Sequence, residues 1–370
     1  MHARRASSGH VVMLRALGAF ATLCAVSCSS PEAHEPEYSG PPLPWAYAPF
    51  PKARAPQKNP ATPEKAELGR LLFYDPVLST DRKVACATCH SEVWGLSDGL
   101  ARSVGIGGTG PTGPGRTGPN VTRRNAPTLW NVAHRTELFW DGRSSSLEAQ
   151  ALAPLDEPKE LGRPSAELAA ELDSIPEYRV RFAQAFPGEA NPIHADNIAR
   201  AIATFERGFE AKLATYDRYV AGDAGALDEE TVRGMFLFGE AGCASCHTPP
   251  LFTSSRYANR GVGSADDAGR FELTGVEADR GAFLVPTLRN TRDSEPYFHD
   301  GSAPALRDAV AHEASRQVSD GESRELASDE LDAVTRFLDK ALTDRSLEPS
   351  RPKQVPSGLP VPKDGFRIPR

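Results

Sequence analysis

The chain has 370 residues, 39% of them hydrophobic and 25% charged, with a formal net charge of −7. That length allows two ordinary domains, and the acidic balance excludes a nucleic-acid binder, which needs basic side chains against phosphate. The 31 glycines and 32 prolines exclude a single compact helical bundle and predict long loops.

Residues 1–28 read as an export segment. Arg4, Arg5 and Arg15 surround the start of an apolar run from Ala16 to Val26, too short and wrongly flanked for a membrane span. The run ends in Ala25-Val26-Ser27-Cys28. Small residues before a cysteine fit lipidation of Cys28, although Ala25 stands where leucine is usual; ordinary signal cleavage nearby fits as well. Either way the destination is the periplasm, free or held to a bacterial membrane by lipid. Removing residues 1–27 takes away three arginines and no acids, so the exported chain is more acidic still. Residues 29–60 are Pro-rich and are expected to lie over the surface.

The apolar spacing of 62–75 predicts a helix leading into "CATCH", with Cys86, Cys89 and His90. A Gly/Pro loop occupies 105–120. Residues 194–220 form the longest amphipathic pattern and predict one long helix. A helix over 228–242 mirrors the first and leads into "CASCH", with Cys243, Cys246 and His247. A last helix is expected over 328–342, and 346–370 is a second Pro-rich extension. Little of the chain reads as strand.

Apart from Cys24 and Cys28, the cysteines form two pairs, each inside C-x-x-C-H. This is the signature of c-type haem attachment. Two thiols three residues apart reach the two vinyl groups of one porphyrin, and the adjacent histidine reaches its iron. A zinc site draws both cysteine pairs into one tetrahedron, and neither zinc nor a redox disulfide requires a histidine placed identically after each pair. Two haems are therefore expected, on His90 and His247.

The duplication extends further. "APTLWNVAHRTELFWDGRSSSLEA" aligns without gaps to "VPTLRNTRDSEPYFHDGSAPALRD". Pro127 pairs with Pro286, Asn131 with Asn290, Asp141 with Asp300 and Leu147 with Leu306, while Trp140 faces His299. The chain reads as two copies of one unit.

Together, "LGRLLFYDPVLSTDRKVACATCH", "RNAPTLWN", "FWDGRSSSLEAQALAP", "PTLRN" and "YFHDG" resemble the bacterial dihaem cytochrome c peroxidase and MauG superfamily. The match covers roughly residues 60–340. The resemblance implies a mainly α fold of two tandem cytochrome c-like haem domains with long Gly/Pro-rich loops. It implies a peroxidatic domain over 61–222 and an electron-transfer domain over 223–345. Its cofactors would be two covalent haems c and a calcium ion.

Residue by residue, the resemblance places Trp140 between the haems, where an indole can relay electrons. Gln150 and Glu160 take the distal positions over the first haem, with Pro154 nearby. A carboxylate there can move a proton between the two oxygens of peroxide. Family peroxidases carry a capping histidine in the loop after the first haem; here Ile106 stands in its place, which leaves that iron open. His134 is a conceivable substitute. The second haem's distal position, fourteen residues after His299, falls on Glu313 with His312 beside it. Methionine is excluded there, since the only three are Met1, Met13 and Met235. Calcium ligands would come from Asn125, Ser294 and Pro296.

Three functions are consistent with these residues. The first is a peroxidase that reduces hydrogen peroxide with electrons from a small cytochrome c or cupredoxin. The second is a MauG-like oxidase that turns peroxide on Trp or Tyr of a partner protein. The third is a non-catalytic electron-transfer cytochrome, against which Gln150 and Glu160 argue. A homodimer is a further expectation from the resemblance.

Overall fold

The computed structural model describes residues 38–316, 325–348 and 350–367. The export segment and Cys28 lie outside them. The chain divides into a unit of residues 1–38 and a unit spanning Ser39–Arg370. The larger unit is mainly helical. Its helices are α1 (Pro63–Tyr74), α2 (Cys86–Cys89), α3 (Leu147–Asp156), α4 (Ser165–Ser174), α5 (Pro176–Ala185), α6 (Ala195–Glu206), α7 (Thr215–Val220), α8 (Glu229–Glu240), α9 (Phe271–Thr274), α10 (Leu306–Ala314) and α11 (Ser328–Arg336). The two strands described, β1 (Tyr257–Ala258) and β2 (Phe283–Leu284), pair antiparallel. Among the described residues no helix is long and apolar enough to cross a membrane.

Helices α1 and α8 begin alike. Thr62 accepts the Lys65 amide at the head of α1, and Asp228 accepts the Thr231 amide at the head of α8. Each cap satisfies an amide that the helix itself leaves free. Each helix then crosses a partner at a glycine. A Cβ on Gly69 would lie 1.9 Å from the Ala201 carbonyl oxygen of α6, and one on Gly234 would lie 2.0 Å from the Ala333 carbonyl oxygen of α11. Only a residue without a side chain lets backbones approach so closely.

Two apolar cores form around these crossings. Leu68, Leu72, Leu155, Leu168 and Ile198 fill one. Met235, Phe238, Phe252 and Phe337 fill the other. The Pro-rich stretches do more than lie on the surface. Trp45 packs edge-on to Phe238 and Phe252 and donates its indole N–H to the Tyr216 hydroxyl. At the far end, Ser357 bonds Asp75, Ser350 bonds Glu92, and Arg367 pairs with Glu295.

The helix expected over 194–220 is not continuous; it breaks between α6 and α7. Asn131 causes the break. It accepts the Ala211 amide on its side chain, and its own amide donates to the Phe209 carbonyl. Buried Arg289 adds bonds to the Ala211 carbonyl and to Asp217. Asp344 accepts the Lys212 and Leu213 amides, and together these contacts take the backbone groups that a continuous helix would use between Phe209 and Leu213. The amphipathic spacing is real, but distant partners take over the backbone groups. The 105–120 loop is held in place by Arg116, which donates to the carbonyls of Val104 and Gly110.

Gly69→Ala is expected to force the α1–α6 crossing apart and lower stability by about 1–3 kcal/mol, measured as a drop in the melting temperature of the haem-loaded protein.

Candidate active site

The duplicated segment folds twice into one backbone shape. Asn131 and Asn290 both take the left-handed conformation, with φ of 58° and 53°, as do Phe139 and Phe298, with φ of 67° and 72°. Leu138 bridges to Ser144 in one copy and Tyr297 to Ala303 in the other. Each copy then presents one side chain at the same place, Trp140 in the first and His299 in the second.

The two copies interlock through Asn125. Its amide donates to the His299 carbonyl at 2.7 Å, and its carbonyl accepts the Trp140 indole N–H at 2.9 Å. The Trp140 carbonyl in turn accepts the Leu284 amide of β2. The His299 ring stacks on Phe283 and lies 6.3 Å, edge to face, from the Trp140 ring. Beside this joint, half-buried Arg124 bonds both Asp141 and Asp267. Burial alone would raise the Asp267 carboxyl, but the guanidinium overrides it and holds that group down at about 2.

Trp140 and His299 line a cavity of about 670 Å³. Cys89 and His90 border it, as do Cys243, Cys246 and His247. The His90 Nδ1 lies 2.9 Å from the Leu96 carbonyl, and the His247 Nδ1 lies 3.1 Å from the Pro286 carbonyl. Those bonds hold the proton on Nδ1 and leave Nε2 as the free lone pair. Burial lowers the pKa of both rings, which keeps them neutral. These four cysteines form no disulfides. Burial pushes the Cys86 and Cys89 thiols up and the Cys243 thiol up to about 12. Among the described residues no cluster of three or more histidine, cysteine or carboxylate side chains could hold a metal ion. Three of these cysteines border the large cavity and Cys86 the small space beside it, each pair next to an oriented imidazole, which suits thioether attachment of a haem and not a zinc tetrahedron.

Gln150, Pro154 and Glu160 line the same cavity as His90. Gln150 Oε1 is buried without a hydrogen-bond partner among the described residues, an acceptor in search of a donor. Burial raises the Glu160 carboxyl, with Arg143 opposing. Ile106 lies beside Glu160, its amide donating to the Glu160 carbonyl and its side chain lying against Gly162. His134 points elsewhere; its ring meets Phe50 edge-on and approaches Glu210.

Glu313, on α10, also lines the cavity and is paired with Arg260 at 2.7 Å. Its neighbour His312 bonds the Arg260 carbonyl and packs on Phe298. Of the residues considered for calcium, Asn125 and Pro296 come together, with Nδ2 2.7 Å from the Leu100 carbonyl and 3.4 Å from the Pro296 carbonyl. As it stands the Asn125 amide presents a donor to Pro296, so a cation there requires the amide to turn over.

Two residues of this cavity, and one of the small space beside it, escaped sequence reasoning. Arg135 has no carboxylate partner among the described residues; it bonds the Val285 carbonyl, and burial pulls its pKa down to about 10. The repeat offered a signal, because Arg135 stands opposite Ser294. Arg260 precedes the second copy of the turn and carried no signal. Glu206 closes α6, and its place becomes legible only when α6 is laid on α11.

A family model described as di-haem cytochrome c peroxidase matches residues 63–225. The chain is 39% identical to the methylamine utilization protein MauG of Methylorubrum extorquens, over 75% of this chain and 74% of that protein. It is 36% identical to the cytochrome c551 peroxidase of Nitrosomonas europaea, over 82% of this chain and 87% of that protein. Among solved structures, a MauG-like protein associated with microbial copper homeostasis superposes with a TM-score of 0.70 at 29% identity, covering 86% of this chain and 97% of that one.

Replacing Cys243 and Cys246 with Ala is expected to halve the covalent haem of the purified protein while leaving the haem on Cys86 and Cys89. A pyridine haemochrome assay against protein concentration measures it.

Proposed function

This chain belongs to the di-haem cytochrome c peroxidase and MauG family, and on that premise we propose that it reduces hydrogen peroxide with electrons from a small periplasmic cytochrome c or cupredoxin. It is a haem peroxidase with two covalently bound c-type haems. In this reading residues 61–222 make the peroxidatic domain and 223–345 the electron-transfer domain, with His90 and His247 as proximal ligands. When bound, the haems supply the iron centres that take up the oxidising equivalents of peroxide.

The observation that carries the proposal is the pair Gln150 and Glu160 in the cavity of His90. A protein that only passes electrons has no use for a buried amide oxygen without a donor beside a carboxyl raised by burial. Gln150 Oε1 accepts a hydrogen bond from peroxide and orients it. Glu160 takes the proton from one peroxide oxygen and returns it to the other, so that the leaving group departs as water. Ile106 cannot ligate iron, so the first site stays open without prior reduction. Trp140 serves as the electron relay between the sites, its indole fixed by the bond to Asn125. Arg135, a cation without a carboxylate partner among the described residues, suits a haem propionate. Glu313, now paired with Arg260, would be the residue to hold the second iron, and a calcium ion at Asn125, Ser294 and Pro296 would lock the joint.

A specific observation favours a second reading, the MauG-like oxidase of a protein Trp or Tyr. Ile106 in place of a capping histidine, and a glutamate in place of methionine at 313, both depart from the peroxidase pattern.

Stopped-flow mixing of the ferric protein with peroxide, followed by a reduced small cytochrome c, tests the proposal. Glu160→Gln is expected to slow the reaction with peroxide by roughly 10²–10⁴-fold. Trp140→Phe is expected to spare that reaction and slow oxidation of the cytochrome. A wild-type rate in Glu160→Gln would overturn the mechanism. Rapid reaction with peroxide but no oxidation of the wild-type protein's cytochrome partner would favour the oxidase.

A further inference from the structure

Each half of the chain reaches across the joint to the repeated turn of the other. Ten residues after the motif histidine stand Leu100 in the first half and Tyr257 in the second. The repeat also pairs Gly142 with Gly301, two residues after Trp140 and His299. A Cβ added to Gly301 would lie 2.3 Å from the Ala101 Cα, whereas one added to Gly142 would lie 1.6 Å from the Tyr257 hydroxyl oxygen. Where the turn carrying His299 meets an alanine, the turn carrying Trp140 thus meets a phenol. Two residues of chain span at most about 7 Å, so the phenol oxygen lies within about 10 Å of the Trp140 Cα. The backbone ties the same residues together. Tyr257 pairs with Leu284 across β1 and β2, and Leu284 donates its amide to the Trp140 carbonyl.

A cation and a base surround that phenol. Its oxygen is buried and has no hydrogen-bond partner among the described residues. A phenylalanine would fill the space without that cost. The Arg270 guanidinium lies 3.8 Å from the ring centre and bonds both the Asp141 carbonyl and the Glu137 carboxylate at 3.2 Å. Glu137 is thereby held beside the phenol. Burial raises the phenol's pKa, Glu137 and Asp141 add to the rise, and Arg270 opposes it. A phenol that keeps its proton so firmly is hard to oxidise unless a base takes the proton as the electron leaves. Glu137 stands where such a base is needed.

We infer that Tyr257 is a redox-active residue that supplies an electron to oxidised Trp140 when no reduced donor protein is present, with Glu137 taking its proton. The inference rests on the peroxidase reading and on Trp140 as the relay. Peroxide takes two electrons from the protein, and one drawn through Trp140 leaves the indole an electron short. Tyr257 refills it. The phenol loses one electron to Trp140, its O–H bond breaks, and the proton passes to the Glu137 carboxylate. The products are a neutral tyrosyl radical and a protonated Glu137. A reduced donor protein later returns one electron, and Glu137 returns the proton. The oxidising equivalent thus waits on half-buried Tyr257, which does not line the cavity of Gln150 and Glu160.

The test mixes the ferric two-haem protein with peroxide in the absence of any reductant and freezes it for electron paramagnetic resonance. An organic radical is expected, and its hyperfine splitting should collapse in protein grown with ring-deuterated tyrosine. A nitroso spin trap should leave its adduct on Tyr257, mapped by mass spectrometry. Tyr257→Phe and Trp140→Phe, each loaded with two haems, are expected to lose the tyrosyl signal. Glu137→Gln keeps the phenol and removes the base, and should slow formation of the radical about tenfold or more. No tyrosyl signal in the wild type, a full signal in Tyr257→Phe or Trp140→Phe, or an unchanged rate in Glu137→Gln would overturn the inference. Where a variant does not take up haem, the wild-type adduct decides, and its absence from Tyr257 overturns the inference too. A wild-type protein that does not react with peroxide removes the peroxidase reading and this inference with it; reaction without a tyrosyl radical removes only the inference.

Discussion

Asn125 gives its backbone amide to one copy of the repeated turn and its carbonyl to the other. Everything at the centre of the molecule depends on that double bond. It sets the Trp140 indole against His299 and so fixes where the two haem-binding regions meet. Arg124 reinforces it with ion pairs to Asp141 and Asp267. The joint holds the Trp140 indole in one position, as the electron relay we propose for it requires.

The molecule differentiates two similar halves by side chains and keeps their backbone. The left-handed residues recur at matched places, as do the glycine helix crossings and the Nδ1 bonds of the two histidines. What changes is the chemistry presented to the cavity. Trp140 stands opposite His299, Arg135 opposite Ser294, and Glu206 opposite Leu338. Each substitution gives the first half, the half that holds Gln150 and Glu160, a side chain of different chemistry.

Much of this was legible in the sequence because it is local. The C-x-x-C-H motifs give the attachment points by spacing, and the apolar period gives α1 and α8. The ungapped repeat places Trp140 and His299 in one structural position. What escaped depends on contacts between distant residues. The pattern over 194–220 looks continuous because periodicity reports which faces are apolar, not which backbone groups Asn131 and Arg289 will claim. Trp45 sits in a Pro-rich stretch with no period at all, yet it packs against the second core. The pairing of Arg260 with Glu313 spans 53 residues and has no motif. Glu206 reads as one more charge at the end of a helix until Gly69 and Gly234 are seen to set the register.

The central claim is that one iron site is open and proton-equipped while the other, across Trp140, serves it with electrons. Electron paramagnetic resonance of the fully ferric protein tests this most directly. The account predicts one high-spin and one low-spin signal of equal intensity, with the high-spin signal changing form once the other iron is reduced. Two low-spin signals, or a high-spin signal indifferent to the state of its neighbour, would contradict it.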